Sequence, residues 1–457
     1  MNLKSINPYN NKIINIYKAN TEKEIDELFV KAKKASRTWS KISIEDRTRI
    51  MKTLLSDLIK EKDNIAYLIS QEIGKPIQQS QLEMEKGFKY YEYYLKNIKE
   101  YVGDKKVYED NVQNDIVSYE PKGVAAIILS WNFPFTLFVW HVIPNLLVGN
   151  SVIVKNSSSC VNTSKYLADI VYKSELPKGV FNNLIGNYRQ AEYLLTKDIN
   201  LICFTGGVDT GKHLYKIASE KMITAILEMG GSNPAVLFED YSIKKAVEKI
   251  VEKRFNNAGQ VCNAIKRVIV KESIKDKFIE NLLSKVKSLR IGNPFDNGMD
   301  IGPVVTKKQL NLLEEQVFEA VKKGAKIESG GKRPRGLKGN FYEPTIITDV
   351  TKDMRIWQEE TFGPVLPIMS FKTEKEAVDL VNQSPFGMGA IILTEDLKRA
   401  QRIGDALDCG MVDINDGKCS KSSNPFGGTK NSSIGRVHGE WGFRELTNIK
   451  VISTGKL

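Results

Sequence analysis

Short runs of β-branched and aliphatic residues alternate with helix-like segments in the middle of the chain, and this alternation restricts the fold more than any other feature. The runs lie at Val124–Leu129, Ser151–Val154, Val180–Leu184, Leu201–Phe204 and Ile223–Leu227. Segments with helical spacing separate several of them, for example Ser164–Tyr172 and Gly211–Glu220. Strands that alternate with helices predict a parallel, doubly wound α/β sheet.

The flanking regions have other patterns. The first hundred residues are predicted to be helical, with Thr21 capping a segment whose apolar residues fall on one helix face. Tyr101–Tyr119 is predicted to form a protruding hairpin, and Asn448–Ser453 alternates like a strand that returns to it. A second α/β region starts near Pro234. Its predicted helices include Ser242–Phe255 and Ser273–Leu289.

The composition is that of a large globular protein. Of 457 residues, 41% are hydrophobic and 27% are charged, so the chain can bury a core without disulfides or metals. Five cysteines without a CxxC pair argue against a disulfide framework. The histidines are scattered, which argues against a zinc site and weakens any Ser–His or Cys–His nucleophile. They are His141, His213 and His438.

The net charge of +12 comes from 67 Lys+Arg against 55 Asp+Glu. Because the lysines are spread along the chain, we expect a Lys-rich surface and no nucleic-acid partner. The charge would still favour an anionic substrate or cofactor.

The stretch Val124–Val154 contains no Asp, Glu, Lys or Arg and is long enough to be tested as a membrane span. Asn132, Pro134 and Gly149 interrupt it at short intervals, which predicts buried strands, a helix and turns instead. The first residues contain no apolar run of the signal-peptide kind. We therefore expect no membrane association and a cytoplasmic location.

A Gly-rich turn follows the strand Leu201–Phe204 and precedes a helix. Gly206, Gly207 and Gly211 would let a backbone approach a pyrophosphate, which the free N–H groups of the helix would bind. The spacing differs from GxGxxG, so a plain strand–turn–helix junction remains an alternative.

Three polar side chains follow turns or strand ends. Cys262 comes after the Gly-containing turn Phe255–Gln260, where a nucleophile would be exposed, although a lone cysteine is often a buried apolar residue. Glu228 ends the strand Ile223–Leu227, where α/β sheets bind ligands, although a surface Glu fits too. Asn132 follows another strand; it is either an oxyanion donor or a turn residue.

The order of these motifs resembles the aldehyde dehydrogenase superfamily over nearly the whole chain. The matching pieces are Pro121–Gly123, Ser130–Pro134, Gly149–Lys155, Phe204–Gly211, Glu228–Gly231, Phe255–Cys262, Gly302–Pro303, Glu360–Pro364, Pro425–Gly428 and Gly435–Arg436. The resemblance implies an α/β fold: a Rossmann-like NAD(P)-binding domain at residues 1–100 and 120–230, an α/β catalytic domain at 231–430, and a small β oligomerisation flap at 101–119 and 446–457.

The resemblance also implies roles for individual residues. Cys262 would be the nucleophile that forms a thioester, Glu228 the general base that activates water, and the Asn132 amide with the Cys262 N–H the oxyanion hole. No metal is implied. The residues implied for cofactor binding are Ser130, Trp131, Lys155, Ser158, Gly206, Gly207, Gly211, Met229, Glu360 and Phe362.

Ser158 leaves the choice of cofactor open. The family usually has a Glu here that binds the ribose hydroxyls and repels a 2′-phosphate. Ser158 removes that repulsion and Lys155 is near in sequence, so NAD and NADP are both expected. The implied partners are a small-molecule aldehyde and further copies of this chain in a homodimer or homotetramer.

The substrate is predicted to be a small aliphatic aldehyde such as succinate semialdehyde. Ser232 and the tail Leu446–Val451 resemble bacterial and archaeal succinate-semialdehyde dehydrogenases, but Trp140 stands where such enzymes often carry a carboxylate-binding Arg. Substrate contacts are predicted for Trp140, Phe135 and Phe426. Candidate cations for a substrate carboxylate are Lys266, Arg267, Lys418 and Lys421; Phe133, Phe135 and Phe255 would instead line an apolar tunnel with Trp140.

Three alternatives remain open from the sequence. One is a general dehydrogenase of apolar aldehydes, because of Trp140. Another is a CoA-acylating enzyme, which Glu228 disfavours because such an enzyme needs no base for water. The third is a silent binding or structural homologue, which the intact Cys262, Glu228 and Asn132 disfavour.

Overall fold

In the computed structural model, which describes residues 1–456, the N-terminal half combines helices with parallel strands. Its elements are β1 (Asn2–Ile6), β2 (Ile13–Lys18), α1 (Glu22–Trp39), α2 (Ile44–Lys60), α3 (Lys62–Ile73), α4 (Ile77–Val102), β3 (Lys105–Glu109), β4 (Gln113–Pro121), β5 (Val124–Leu129), α5 (Pro134–Val148), β6 (Ser151–Asn156), α6 (Val161–Lys173), β7 (Phe181–Asn183), α7 (Tyr188–Leu195), β8 (Leu201–Thr205), α8 (Val208–Glu220) and β9 (Thr224–Glu228).

The second half repeats the alternation. Its elements are β10 (Asn233–Leu237), α9 (Ile243–Phe255), β11 (Ile265–Lys271), α10 (Lys275–Lys287), α11 (Lys307–Lys322), β12 (Lys326–Ser329), β13 (Thr345–Thr348), α12 (Arg355–Gln358), β14 (Val365–Phe371), α13 (Glu374–Asn382), β15 (Phe386–Gly387), β16 (Gly389–Leu393), α14 (Leu397–Ala406), β17 (Met411–Ile414), β18 (Thr429–Lys430), β19 (Ser433–Ile434), α15 (Gly439–Glu445) and β20 (Thr447–Gly455).

The first large sheet has the strand order β19-β9-β8-β5-β6-β7. All its pairs are parallel except β19 with β9, where Ser433 lies opposite Glu228. The strands β5, β6 and β8 are buried almost throughout, as expected for a sheet covered by helices on both faces. The predicted doubly wound α/β sheet is confirmed.

The second large sheet has the order β12-β13-β14-β11-β10-β16-β17 and is parallel except for β12. It has its own hydrophobic core, in which Trp357 is the largest side chain. The predicted domain boundary at residue 230 falls between β9 of the first sheet and β10 of the second. The division of the chain into domains stays a prediction.

A third, three-stranded sheet joins the predicted hairpin to the C-terminal strand. β4 pairs antiparallel with β3 on one side and with β20 on the other. The pairing runs from Thr447 opposite Pro121 to Gly455 opposite Gln113, and all of β20 after Thr447 is exposed. Its role as an oligomerisation flap stays a prediction.

The structure corrects the prediction of an all-helical N-terminus. β1 and β2 form an antiparallel hairpin within the first hundred residues. Leu3 and Ser5 alternate as the buried residues of β1, and the Ser5 hydroxyl donates to the buried carboxylate of Glu72 in α3 (2.5 Å). Contacts with α3 thus hold a short, mostly exposed pair of strands that the sequence pattern does not reveal.

The charge-free stretch forms β5, α5 and β6, with every α5 residue except Trp140 buried inside the protein. Pro134 occupies the first turn of α5, where a backbone N–H would have no partner within the helix, so its absence costs nothing. Gly149 ends the helix with a left-handed backbone conformation (φ 102°). Within residues 1–456, no helix is both long enough and apolar enough to cross a membrane.

Candidate functional site

The carboxyl ends of β5, β8 and β9 lie side by side at one edge of the first sheet. Asn132 follows β5, Gly206 follows β8, and Glu228 is the last residue of β9. The sequence therefore brings these three residues to the edge where doubly wound sheets bind ligands.

A strained turn carries Cys262 toward this edge. After α9, the backbone of Asn257 (φ 50°) and Ala258 (φ 52°) enters the left-handed region, which is costly for residues with a side chain. Gly259 continues at φ 75°, where an added Cβ would lie 2.3 Å from the carbonyl oxygen of Gly363. Backbone strain concentrated at one place is typical of functional sites.

Buried amides hold the turn in place. Asn257 donates its side-chain N–H to the Asn132 carbonyl (3.1 Å), and Gln79 of α4 accepts the Asn257 backbone N–H (2.8 Å). Gln260, which is fully buried, donates to the Asn257 carbonyl (3.0 Å) and accepts the Val305 backbone N–H (2.9 Å). This turn, residues 256–262, is thus fixed from both halves of the chain; it is called the nucleophile turn because Cys262 is the predicted nucleophile.

The Asn132 side chain is oriented by two hydrogen bonds. Its oxygen accepts the Ser130 hydroxyl (2.7 Å), and its Nδ2 donates one proton to the Gln260 carbonyl (3.1 Å). The second Nδ2 proton is left for another acceptor. Among the described residues, the backbone N–H of Cys262 also lacks an acceptor. Two preorganised donors are therefore available for a developing oxyanion.

Cys262 is half-buried as a residue, and protein surrounds its thiol. Desolvation raises its pKa to about 11; Lys266 opposes this rise, whereas Glu360 and Glu228 add to it. The resting side chain is therefore a thiol rather than a thiolate near neutral pH.

Glu228 is a buried carboxyl group without a hydrogen-bond partner. Neither of its side-chain oxygens has one among residues 1–456, and the side chain is 3% exposed. Burial raises its pKa well above the usual range for Glu, while Arg436 and Ser433 act in the opposite direction. A carboxylate with a raised pKa is a stronger base when it ionises.

The turn after β8 is open for an anion. Gly207 precedes α8 and gives no side-chain cap, so no side chain occupies the first N–H groups of the helix. A Cβ on Gly207 would meet nothing within 4 Å, whereas one on Gly211 would meet the Met229 sulfur at 2.3 Å. Gly207 thus leaves room at the helix N-terminus, and Gly211 lets the helix pack closely on the sheet.

Met229 and Gly206 are packed in the same way. Met229 is buried, and its sulfur packs against Gly211 of α8. An added Cβ on Gly206 would lie 2.3 Å from the Phe204 ring. These two predicted cofactor residues set the path of the backbone.

Lys155, at the end of β6, is 9% exposed and has no carboxylate within 4 Å in the described chain. Burial lowers the pKa of its ammonium group. Ser158 is half-buried in the following 3₁₀ turn, Ser158–Cys160. A nearly buried cation without an anion fits a ligand that supplies hydroxyl or phosphate oxygens.

Glu360 and two aromatic rings, Trp131 and Phe362, are further residues that the sequence predicted for cofactor binding. The Trp131 and Phe362 rings meet edge to face, with centroids 5.7 Å apart. Glu360 accepts the Gly231 backbone N–H (3.2 Å), and a Cβ on Gly230 would collide with its other oxygen. The structure therefore places Trp131 against Phe362 and Glu360 beside Gly231; the role of these residues in cofactor binding stays a prediction.

An aromatic wall is formed by Phe426, a buried member of the core cluster against which Cys262 packs, and by Tyr90, Phe133 and Trp140, which are partly buried against the same cluster. The Trp140 ring lies 5.0 Å from Phe426 and 5.5 Å from Tyr90. Lys75 lies 3.7 Å above the Phe133 ring, but its charge is matched by a buried ion pair with Glu83. The wall therefore presents no unpaired cation.

Two of the aromatic predictions are wrong. Phe135 is fully buried, with its ring over Gly87 of α4 and 5.1 Å from Phe88. Phe255 belongs to the core of the second sheet. Neither ring lines a tunnel, because each faces a packed helix or sheet.

The predicted cations divide into two groups. The Arg267 guanidinium is buried, donates to the Ser232 carbonyl (3.0 Å) and lies over Trp357, so its assignment to a substrate carboxylate is wrong. Lys266 is buried and pairs with Glu360 (2.5 Å), which corrects its assignment as well. Lys418 and Lys421 are exposed on the loop after β17. Ser420 of the same loop lies 3.5 Å from the Tyr90 hydroxyl.

His438 was not among the predicted site residues, but it lies against Trp140, which was. Its ring packs against Trp140 (4.4 Å) and its Nδ1 lies 2.5 Å from the Tyr94 hydroxyl, while Nε2 has no partner in the described chain. Its backbone (φ 71°, ψ 169°) is in a region normally reserved for glycine. The only sequence signal is its position directly before Gly439.

The other histidines lie elsewhere. His141 is buried beside Thr205 (2.8 Å), and burial lowers its pKa to about 4; His213 is exposed and pairs with Glu192. No group of three or more His, Cys, Asp or Glu side chains converges on a metal-sized site in the part of the chain that the structure describes.

Comparison with known proteins places this geometry among related chains. A family profile described as the aldehyde dehydrogenase family matches residues 1–452. Aminoaldehyde dehydrogenase 1 of Pisum sativum is 35% identical, covering 98% of this chain and 92% of its own. The NADP(+) succinate-semialdehyde dehydrogenase GabD of Escherichia coli K12 is 33% identical, covering 93% of this chain and 88% of its own. Betaine aldehyde dehydrogenase from Staphylococcus aureus, solved with NAD+, superposes at a TM-score of 0.95 and 32% identity over 99% of this chain and 91% of that one.

Proposed function

Because the chain belongs to the aldehyde dehydrogenase family, we propose that it oxidises a small uncharged aldehyde to the carboxylic acid, using NAD or NADP and a thioester on Cys262. The membership confirms the resemblance inferred from the motif order. The observation that carries the proposal is that Asn132 and Glu228 both lie beside Cys262: the Asn132 amide donates to the turn that carries Cys262, and the Glu228 carboxylate is near enough to raise the pKa of the thiol.

The residues supply each step of the reaction. The Cys262 thiol gives up its proton to solvent water, and the sulfur forms a bond to the aldehyde carbon. The electron pair of the carbonyl moves to oxygen, where the Asn132 Nδ2 and the Cys262 N–H donate to it. When bound, the cofactor supplies a hydride acceptor. Loss of this hydride to a bound cofactor would leave the acyl group on the Cys262 sulfur as a thioester. Glu228 takes a proton from water as it attacks this thioester, and the C–S bond breaks.

The cofactor is held by groups already described. The N–H groups after Gly207 suit a pyrophosphate, Lys155 a ribose or its 2′-phosphate, and Glu360 the hydroxyls of the second ribose. Because Ser158 places no carboxylate near Lys155, both NAD and NADP are accepted. The relatives include one solved with NAD+ and one named for NADP(+).

The aromatic wall supports an uncharged substrate. Trp140 lies at its centre between Phe426 and Tyr90, and Arg267 is occupied in the core. A carboxylate held against these rings would lose water without gaining an ion pair, which costs free energy.

Succinate semialdehyde is the second candidate. It is supported by the GabD relative and by two exposed lysines, Lys418 and Lys421, on the loop beside Tyr90. A four-carbon acid reaching outward from Cys262 would need one of them as its partner. The Pisum sativum and Staphylococcus aureus relatives are named for aminoaldehyde and betaine aldehyde, so a cationic substrate belongs in the same test.

The test compares three aldehydes of one chain length: butanal, succinate semialdehyde and 4-aminobutanal. We expect kcat/KM, followed by the absorbance of the reduced cofactor, to be highest for butanal. A preference of a decade or more for either charged aldehyde contradicts the uncharged-substrate proposal. Repeating the assay with and without CoA distinguishes hydrolysis from acyl transfer; CoA dependence contradicts the role of Glu228.

We also propose that β20 pairs with a second copy of this chain in a homodimer or homotetramer. Its exposed Ile449 and Val451, 65% and 61% accessible, lie on a strand whose outer edge is unpaired in the monomer. Deleting residues 446–457 should change the sedimentation coefficient; an unchanged profile contradicts the proposal. We also propose that the protein is located in the cytoplasm.

A further inference from the structure

We propose that Lys266 is a positioning residue that ties the nucleophile turn to Glu360 and sets the reactivity of the Cys262 thiol. The inference rests on the proposed role of Cys262 as nucleophile. It assigns a function to a lysine that sequence analysis placed at the substrate.

Lys266 lies on β11, a short distance after the nucleophile, and its side chain is fully buried. Its ammonium group donates to the backbone carbonyl of Cys262 (2.6 Å) and to Oε1 of Glu360 (2.5 Å). One side chain therefore bonds both to the nucleophile residue and to the carboxylate proposed to bind the ribose.

The bond to the Cys262 carbonyl fixes the peptide that leads away from the nucleophile. Together with Gln260 and Asn257 on the other side, it holds both ends of the residue whose N–H is proposed to receive the oxyanion. A shift of this carbonyl would rotate the donor and the sulfur out of line.

Glu360 is held as firmly from its other side. Its Oε1 also accepts the Gly231 N–H, and its Oε2 fills the space where a Gly230 Cβ would be. Glu360 therefore has little freedom to leave Lys266, and the two charges stay as a fixed pair next to the thiol.

Several charges face this pair. Lys266 and Glu360 act in opposite directions on the Cys262 thiol, and Glu228 acts in the same direction as Glu360. Arg254, whose guanidinium is bonded to the Thr361 carbonyl (3.0 Å), faces Lys266 from α9. Lys266 is the cation of this set that acts on Cys262, so removing it should leave the thiolate less favourable.

Stability alone does not explain the lysine. A buried ion pair is a weak stabiliser, and apolar residues of similar size often replace such a pair without loss. The Lys266 ammonium group donates to the backbone carbonyl of Cys262, so a role in positioning that residue explains why a lysine is buried here.

The test measures alkylation of Cys262 by iodoacetamide in the cofactor-free protein, with the modified peptide identified by mass spectrometry. At a pH below the pKa of the Cys262 thiol, the alkylation rate is proportional to the fraction of Cys262 present as thiolate. We expect Lys266→Met to lower the rate about tenfold, Lys266→Arg to keep it within about twofold, and Glu360→Gln to raise it. The double variant Lys266→Met/Glu360→Gln should return close to wild type.

Lys253→Met is the matched control, because it removes a partly buried pair with Asp413 (2.7 Å) and should not change the rate. A rate for Lys266→Met within twofold of wild type, or a fall in Glu360→Gln, overturns the inference. Glu360→Gln retains Lys266, so it decides the question even if Lys266→Met does not fold. If Cys262 of the wild type is not the alkylated cysteine, the nucleophile assignment itself fails.

Discussion

Gly206 donates its backbone N–H to the carbonyl oxygen of Glu228 over 3.0 Å. The turn proposed for the pyrophosphate and the proposed general base are therefore joined through their backbones, while the Glu228 carboxyl group makes no hydrogen bond among the described residues. Changing this side chain should leave the turn intact, so its chemistry is separable from cofactor binding.

Glu228→Gln should separate the two half-reactions. Acyl-enzyme formation needs no water, so a burst of reduced cofactor should remain in stopped-flow traces, whereas steady-state kcat should fall by about two to four decades. Glu220→Gln, at the exposed end of α8, serves as the control. Loss of the burst would show that Glu228 acts on the thiol instead.

The pH profile of kcat should report the raised pKa of Glu228. The base works only when ionised, so the rate should be low below this pKa and rise as pH increases through it. Because burial raises the pKa, the rising limb should lie above the ordinary value for Glu, about 4.3. Measured with a substrate whose deacylation limits turnover, this limb should disappear in Glu228→Gln; its persistence would assign it to another group.

Cys262→Ala should abolish aldehyde oxidation while cofactor binding, measured by calorimetry, survives. The other four cysteines should each tolerate Ala with activity retained: Cys160, Cys203, Cys409 and Cys419. Cys203 is fully buried within β8, and the Cys409 thiol donates to the Met411 carbonyl (3.4 Å), so neither thiol lies on the turn that Asn132 contacts. An essential residue among these four would overturn the assignment of Cys262.

Ser158→Glu should turn the enzyme toward NAD. A carboxylate near Lys155 repels a 2′-phosphate but accepts hydrogen bonds from ribose hydroxyls, so NADP binding should weaken more than about tenfold beyond any effect on NAD. Fluorescence titration with both cofactors measures the difference. Equal losses would show that Ser158 does not face the ribose.

Trp140→Arg should favour succinate semialdehyde over butanal. The new guanidinium gives the carboxylate a charge-assisted partner, and such a bond contributes about 1.5–3 kcal/mol, or roughly one to two decades in relative kcat/KM. Trp140→Leu removes the ring without adding charge and should not make this change. A shift of equal size in both variants would assign the effect to space rather than charge.

The motif order along the sequence was enough to predict the α/β fold and to nominate the site residues. Side-chain direction was not predictable around α5, because a helix that is apolar on every face has no amphipathic pattern to distinguish Phe135 from Trp140. The pairing of Lys266 with Glu360 joins residues far apart in the chain, so no local spacing indicates it. The β1–β2 hairpin was missed because contacts with α3 stabilise it.

The backbone conformation of His438 is unfavourable for a residue with a side chain, yet its ring packs behind Trp140. Replacing it with glycine would relieve a conformation that costs on the order of 1–3 kcal/mol. The same change would remove the ring behind Trp140 and open space against the wall. Because deleting a buried ring typically costs about 3–5 kcal/mol, more than the relieved strain, the packing of this ring against Trp140 and its bond to Tyr94 hold a residue with a side chain in a glycine-like conformation.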